Sequence, residues 1–348
     1  MPFRPIENVF ELHRGAGGRL LVVFSAANAG SFTFFKATRQ MRPDRLHIRD
    51  PFGTAWYQNG LADGETLADI ETRIAEVARD YREIWMLGSS MGGYAALYFG
   101  ARLGARRVLA IAPQLIVDPR FARGPGRGVT VHTPDISGLV RAATRTRFTI
   151  LFGSFDLIDA YNIAQLYKDD PAPDHCRVLQ YANEDHMLPV RIDRAVGLRR
   201  YFSAILSRDE VPDIGIPCTT GPPLSAERLA VLQGYIAPCL ERDHKSAHAH
   251  LAAALQDNPD WTALEYLMLD SGFHGRPDLH RALLPRAQAL SDTYPEAIDF
   301  AFLAARLAEQ TGDARAARAA LRRVFAVRSG HRAATQLLAR LEAQETTG

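Results

Sequence analysis

Residues 83–103, EIWMLGSSMGGYAALYFGARL, decide how the first part of this chain folds. The apolar run Glu83–Leu87 predicts a strand, and the pattern of Gly92–Leu103 predicts a helix directly after it. Between them lies a G-x-S-x-G pattern centred on Ser90, which is typical of a serine on a sharp turn from strand to helix. The backbone of such a turn is strained, so the residues around the serine must be small. We therefore predict that Ser90 is a nucleophile placed beside the positive end of a helix.

Short apolar runs alternate with amphipathic stretches on both sides of this turn, through about the first 207 residues. Because these runs are continuously apolar, they predict strands that are buried on both faces, as in a parallel sheet. The predicted strands are Leu20–Phe24, Leu46–Arg49, Ile84–Leu87, Val108–Ala112, Thr149–Phe152 and Val178–Tyr181. The predicted helices are Thr66–Tyr81, Gly92–Leu103, Ala160–Tyr167 and Ile192–Ser207. The stretch before Leu20 is predicted to be an antiparallel leader with its turn at Gly15, Gly17 and Gly18. This alternation predicts the α/β class, with a doubly wound, mostly parallel sheet in three layers.

The character of the sequence changes after Ser207. Residues 208–224 carry four prolines and two glycines without a period, which predicts a linker between a catalytic domain, residues 1–207, and a second domain. Residues 225–348 are helical in pattern throughout, which predicts a smaller all-α domain. The predicted helices are Ser225–Cys239, Asp243–Gln256, Trp261–Ser271, Leu279–Tyr294, Pro295–Gln310, Asp313–Arg328 and His331–Gln344. The break at 311–313 between two stretches of similar length resembles a degenerate tetratricopeptide-type hairpin, and a plain helical bundle is the alternative.

The composition of the chain argues against several classes of protein. The chain has 348 residues, of which 47% are hydrophobic and 23% charged, and this balance excludes a disordered protein. A formal net charge of +2 does not indicate a nucleic-acid or anionic-membrane binder. Three scattered cysteines, no signal-peptide pattern and no apolar run of membrane length predict a cytoplasmic protein without a membrane span. No cofactor motif is present, and His244 and His248 lack a third ligand, so we expect neither a cofactor nor a metal.

A serine hydroxyl needs a base to remove its proton and an acid to orient that base. On a sheet of this type the expected chain order is serine, acid, histidine, each at the carboxyl end of a strand. Of eleven histidines, only His186 follows a late strand in a short polar loop and precedes the last helix of the sheet domain. Two aspartates follow the strand before it. Asp156 lies in the loop proper and is the preferred acid, whereas Asp159 is predicted to cap the next helix.

The oxyanion that forms on an attacked carbonyl needs two preorganised N–H donors. The first is predicted to be the backbone N–H of Met91. The second should come from the loop after the strand Leu20–Phe24, at Ala26 or Ala27. Ligand-binding loops also follow other strand ends, which makes Arg49, Asp50, Trp56 and Tyr57 candidates for substrate binding. The alternative is that the two aromatic rings only fill the core of their own loop.

The pattern GSSMGG after a strand, followed by FGSFD and then NEDH, resembles the α/β-hydrolase superfamily over residues 8–207. The stretch LHIRDPFGTAWYQNG is more narrowly similar to bacterial members associated with glycan O-acetylation and glycoprotein export. The resemblance implies acyl-ester chemistry through Ser90, Asp156 and His186. It also implies a lid near residues 119–138, where Arg120, Arg123 and Arg127 would meet an anionic substrate or stay solvated.

The leading prediction for function is a serine-dependent acyl-ester hydrolase of the carboxylesterase kind. An O-acyltransferase that moves an acetyl group to a glycan would use the same residues. A non-catalytic interaction protein is the third hypothesis, because a fold does not by itself define a function. The predicted partners are a small-molecule or glycan ester substrate and, through the helices of residues 225–348, another protein or a second copy of the chain. No nucleic acid is expected.

Overall fold

The computed structural model describes residues 5–118, 120, 124–126, 128–168 and 173–347, with only the backbone of residues 345–347. Arg123 and Arg127 of the predicted lid lie outside these residues, and Arg120 forms an ion pair with Asp118. The chain divides into two compact units, Met1–Ser225 and Ala226–Gly348. Within the described ranges, no helix combines the length and the apolarity needed to cross a membrane.

The first unit is built on a sheet that has eight strands among the described residues. Six of them match the predicted apolar runs, and the others lie at the two edges. The strands are β1 (Phe10–His13), β2 (Arg19–Phe24), β3 (Asp44–Ile48), β4 (Glu83–Ser89), β5 (Arg107–Ile111), β6 (Arg147–Gly153), β7 (Cys176–Tyr181) and β8 (Cys218–Thr220). Their order is β1-β3-β2-β4-β5-β6-β7-β8. The strands β2 to β7 run parallel, and only the edge strands are antiparallel to their neighbours. The predicted fold class is confirmed.

Helices connect these strands. They are α1 (Phe35–Thr38), α2 (Leu67–Ala78), α3 (Met91–Leu103), α4 (Ser137–Ala142), α5 (Leu157–Ala164), α6 (Leu188–Val196) and α7 (Leu198–Ser203). A 3-10 turn follows α5 and a π turn follows α7. The short helices α1 and α4 had no counterpart in the predicted pattern, because four to six residues are too few to show a helical period.

Helices cover both faces of the sheet. Leu21 and Val23 of β2 belong to an apolar cluster that includes Phe202 of α7. On the opposite face, Phe24 stacks on Phe99 of α3 with the ring centroids 5.4 Å apart. Since successive residues of a strand point to opposite faces, this arrangement explains why the strand is apolar at nearly every position.

The N-terminal leader is antiparallel, as predicted, but it pairs with β3 and not with β2. Phe10 is opposite Ile48, so β3 lies between the leader and the strand that follows it in sequence. The connecting turn passes the start of β3, where Gly15 N–H and Gly17 N–H donate to Asp44 Oδ1 at 2.7 and 3.2 Å. The Asp44 carboxylate therefore fixes the turn that connects β1 to β2.

Residues 208–224, which the sequence predicts to be a linker, contain the strand β8. Cys218 pairs with Tyr181 of β7, and the preceding Ile214 is buried in the same cluster as α6 and α7. Val211 and Ile216 pack against that cluster as well. These isolated apolar residues between prolines anchor the segment to the first unit.

The second unit consists of helices, as predicted. They are α8 (Ala226–Leu240), α9 (His244–Asp257), α10 (Thr262–Gly275), α11 (His280–Thr293), α12 (Ile298–Gln310), α13 (Ala314–Val327) and α14 (Arg332–Thr347). Asp313 caps α13 by accepting a hydrogen bond from Ala316 N–H at 2.8 Å, directly after the break at 311–313. His248, considered above as a metal ligand, is bonded through Nδ1 to the Met268 carbonyl at 2.9 Å.

Candidate active site

Ser90 occupies the turn between β4 and α3. Its backbone has φ 55° and ψ −122°, a conformation that non-glycine residues rarely adopt. The glycines on either side are required by close approach: a Cβ on Gly88 would overlap the Gly92 carbonyl, and one on Gly92 would overlap the Phe24 carbonyl oxygen. The G-x-S-x-G pattern therefore reflects a turn with no room for side chains, which presents the serine at the start of α3.

His186 and Asp159 form a hydrogen-bonded pair at the carboxyl ends of β7 and β6. His186 Nδ1 lies 2.7 Å from Asp159 Oδ2. The Asp159 carboxylate is fully buried, and the His186 side chain is 18% exposed. A buried carboxylate that bonds to Nδ1 fixes both the orientation and the tautomer of an imidazole.

The structure places Asp156 and Asp159 in the opposite positions to those that the sequence predicts: Asp156 caps the helix and Asp159 bonds to His186. Asp156, the preferred acid, caps α5: its Oδ1 accepts hydrogen bonds from Ile158 N–H and Asp159 N–H at 3.1 and 2.9 Å. Its Oδ2 is 3.9 Å from His186 Nδ1, too far for a hydrogen bond. The predicted helix began at Ala160, whereas α5 begins at Leu157. This earlier start makes Asp156 the cap and places Asp159 in the first turn.

The loops that carry the pair are bound to each other. Phe155 N–H donates to the Glu184 carbonyl and Asn183 N–H donates to Ser154 Oγ, both at 2.9 Å. The Glu184 side chain in turn accepts from Arg191 of α6 at 3.0 Å. The loop after β6 and the loop after β7 therefore form one support for the histidine.

Gln114 is a member of this site that the sequence analysis missed. Ser90 Oγ donates to Gln114 Oε1 at 3.5 Å, and Gln114 Nε2 donates to Asp159 Oδ1 at 3.1 Å. Only 4% of Gln114 is exposed. The amide thus links the nucleophile to the carboxylate of the pair, while the described residues show no hydrogen bond between Ser90 and His186. The sequence did offer one signal. Gln114 is a polar residue three positions after β5, and the other site residues also follow strand ends.

The predicted oxyanion donors differ in whether the backbone N–H already donates to another group of the protein. Met91 is the first residue of α3, and an N–H in that position has no partner within its own helix. Ala26 N–H, however, donates to Thr33 Oγ1 at 3.0 Å, and Thr33 N–H donates to Ser25 Oγ at 3.0 Å. The loop after β2 therefore uses the Ala26 donor for its own structure. Ala27, the alternative, is exposed in the same loop.

The four predicted substrate-binding residues hold the loop after β3 together instead. Asp50 is buried and accepts hydrogen bonds from Phe52 N–H and Tyr57 N–H, and its burial raises the pKa of the carboxyl. Tyr57 Oη donates to the Ser25 carbonyl at 2.9 Å, and Arg49 Nε donates to the Asn8 carbonyl at 2.7 Å.

The two aromatic rings of this loop face inward. Trp56 is 1% exposed and Tyr57 is fully buried, so neither ring presents a face on which a sugar could stack. Both residues have positive φ, 56° and 61°, and this pair of left-handed residues turns the chain back onto the sheet. The rings form the core of their own loop, which is the alternative that the sequence analysis left open for them.

Asp156, Asp159 and His186 are also ligand types for a metal, and their atoms lie within 4.8 Å of one another. Two ligands of one tetrahedral zinc ion are separated by about 3.4 Å, given bonds of about 2.1 Å. The 2.7 Å between His186 Nδ1 and Asp159 Oδ2 is shorter and fits a direct hydrogen bond. The arrangement fits a histidine oriented by a carboxylate better than it fits a metal centre.

A mostly parallel sheet, a serine on a strand-to-helix turn, and a histidine and an aspartate after later strands together define an α/β-hydrolase-like fold. No protein-family model matches the chain, and no curated protein sequence matches it.

Several solved structures are similar to the chain. One is a capsule O-acetyltransferase variant of Neisseria meningitidis serogroup A with CoA: 16% identity over 58% of this chain and 93% of that one, TM-score 0.43. The glycosylation-associated Gap123 complex of Streptococcus agalactiae matches at 19% identity over 59% and 48%, TM-score 0.42. A carboxylesterase of Nitrososphaera gargenis matches at 12% identity over 58% and 95%, TM-score 0.40.

Proposed function

We propose that the first unit is a serine-dependent acyl-ester hydrolase with Ser90 as nucleophile, His186 as base and Asp159 as the orienting acid. The observation that supports it is the pairing of two features at one edge of the sheet. Ser90 is held in a strained turn at a helix start, and the His186–Asp159 pair is linked to it through Gln114. In this proposal Asp159, the second choice of the sequence analysis, replaces Asp156 as the acid.

The first step is attack of Ser90 Oγ on the ester carbonyl carbon. His186 Nε2 takes the hydroxyl proton, because Nδ1 is bonded to Asp159, and the buried carboxylate stabilises the imidazolium that forms. The Met91 N–H supplies one hydrogen bond to the oxyanion. The tetrahedral intermediate collapses with transfer of the proton from His186 to the leaving alcohol, and water then hydrolyses the acyl-serine by the same route.

The Ser90 hydroxyl must change partner for this step. In the structure it donates to Gln114 Oε1 over 3.5 Å, a long and weak hydrogen bond. In the proposed mechanism, the hydroxyl turns from Gln114 and gives its proton to His186 Nε2. Gln114 then still donates to Asp159, so the pair stays in place while the nucleophile turns.

Purified full-length chain should release p-nitrophenol from short-chain p-nitrophenyl esters, and Ser90→Ala should abolish the release. Ser89→Ala is the matched control, since it changes the neighbouring buried serine, and it should keep activity within a few-fold. A fluorophosphonate should label the peptide that contains Ser90. Folded protein that neither turns over these esters nor takes the label would overturn the proposal.

The acyl acceptor is water in this proposal. O-acyl transfer to a sugar hydroxyl would use the same three residues, so incubation of acyl donors with and without carbohydrate acceptors, read by mass spectrometry, separates the two reactions. Acylated sugar formed faster than free acid would assign transfer. We assign the chemistry to the first unit and propose the helices of residues 225–348 as a surface for a protein partner or a second copy.

A further inference from the structure

A cavity of about 700 Å³ lies in the first unit, between the segment that leads into α1 and the junction of α6 and α7. Its apolar lining is made by Phe32, Phe34, Phe35, Ala37 and Leu198, and we call it the phenylalanine cavity. None of the residues assigned to the candidate active site lines it. Its volume lies in the range of about 300–1,000 Å³ that single small molecules occupy.

The three phenylalanine rings are held from behind by buried side chains. Phe34 packs edge-on against Phe202, with the ring centroids 5.0 Å apart. Phe32 and Phe35 both pack against His47, at 5.4 and 5.1 Å. The rings are nevertheless only half-buried. Anchored rings with faces open to a cavity form a preformed apolar surface, which a ligand could cover without reordering the protein.

The backbone at the entrance to α1 is strained. Phe34 has φ 61° and ψ 12°, in the left-handed region that large residues seldom adopt. This conformation precedes α1 and accompanies the packing of the Phe34 ring on Phe202 beside the cavity. Strain of this kind is concentrated at ligand-binding sites and switches.

Four charged residues line the phenylalanine cavity, and they differ in how they are bonded. Glu11 accepts a hydrogen bond from Asn8 N–H at 2.6 Å and lies 3.4 Å from His13 Nε2. Asp193 accepts from Leu198 N–H at 3.1 Å.

The two cations, Lys36 and Arg199, are exposed, and neither makes an ion pair within the part of the chain that the structure describes. The carboxylates of the cavity therefore already have donors, whereas its cations are available to an anion.

We infer that the phenylalanine cavity binds an amphipathic monocarboxylate, of the class of a medium-chain fatty-acid anion. Its alkyl chain would lie on Phe32, Phe34, Phe35 and Leu198, and its carboxylate would meet Lys36 and Arg199. The apolar surface supplies affinity and the two cations select the charge. This inference is independent of the acyl-ester chemistry at Ser90 and requires no reaction.

Calorimetric titration of the full-length chain with octanoate, octan-1-ol and octylammonium tests the charge preference, since the three share one alkyl chain. We expect saturable binding, with the affinity highest for octanoate, lower for octan-1-ol and lowest for octylammonium. The double variant Lys36→Glu with Arg199→Glu should weaken octanoate binding by about tenfold or more and favour octylammonium. The control is Arg39→Glu with Arg200→Glu, which makes the same charge change at neighbouring exposed positions that do not line the cavity.

The location is tested separately with a photoreactive alkyl carboxylate followed by peptide mapping. Labels on the peptides that contain Phe32–Ala37 or Leu198 would support the site, and excess octanoate should suppress them. Three results would overturn the inference: no saturable binding of octanoate, equal loss in the control variant, or labelling only elsewhere in the chain. Circular dichroism of each variant checks that the fold is retained.

Discussion

Gln114 donates a hydrogen bond to Asp159, with Nε2 3.1 Å from Oδ1, while the other oxygen of that carboxylate holds His186. Asp159 is fully buried, so each of its oxygens needs a donor. The glutamine supplies the one that the histidine does not. Asp159 is thereby fixed from two sides, and the orientation of the imidazole follows from the position of a residue on the neighbouring strand end.

Replacing Gln114 with Met removes this donor at similar volume. We expect the free energy of unfolding to fall by about 1–3 kcal/mol, because a buried carboxylate loses this donor. Ester hydrolysis should fall by about tenfold as the carboxylate gains freedom to move. Urea denaturation and steady-state kinetics measure the two effects. Gln165→Met, at a buried glutamine bonded to the Tyr161 carbonyl, is the matched control. Unchanged activity in Gln114→Met would contradict the role assigned here.

Substitution of Asp159 should lower the activity far more than substitution of Asp156. Asp159→Asn should lower kcat by about 10³–10⁴-fold, because the amide no longer favours the required tautomer of His186. Asp156→Asn should keep most of the activity, since asparagine is also a good helix cap. Parallel assays on one ester decide between them, and the opposite order of losses would restore Asp156 as the acid.

The glycines of the serine turn should tolerate no side chain. Gly92→Ala places a Cβ against the Phe24 carbonyl oxygen, which is backbone and cannot move alone. We expect a loss of about 1–3 kcal/mol or more in unfolding free energy, together with loss of fluorophosphonate labelling. Gly138→Ala is the control, since its Cβ would meet nothing within 4 Å, and it should be neutral or stabilising. Equal behaviour of the two variants would show that the turn is not tightly packed.

His47 should make the protein less stable in acid. Burial, followed by the nearby His13 and Arg45, lowers the pKa of His47 from 6.5 to about 3. The folded state therefore favours the neutral ring, and this contribution is complete above about pH 6.5. It is lost progressively as the pH falls from there toward 3, by up to about 1.4 kcal/mol per pH unit. Urea titrations between pH 7 and 4.5 measure the slope. His47→Gln should flatten it, while His244→Gln should not.

The sequence was sufficient for the features that depend on local pattern. Mostly apolar runs identified β2 to β7, because strands buried on both faces favour apolar residues. The turn at Ser90 followed from its two glycines, and the position of His186 from the last long strand before it.

The structure differs from the sequence-based expectations where tertiary contacts decide the role of a residue. Asp156 and Asp159 differ by one helical turn, and only the true start of α5 distinguishes them. Ala26 is committed to Thr33, and Tyr57 to the carbonyl of Ser25, through bonds that no spacing reveals. Gln114 lies 45 positions from Asp159 in the chain, so their bond depends on the pairing of β5 with β6.

The position of β2 between β3 and β4 has a consequence for how the first unit is assembled. Both neighbours of β2 follow it in the chain, since one begins at Asp44 and the other at Glu83. Until the chain has been synthesised past Glu83, β2 has an unpaired edge and the sheet cannot close. High contact order of this kind slows folding and favours aggregation, so we expect the unit to form only after β4 has emerged.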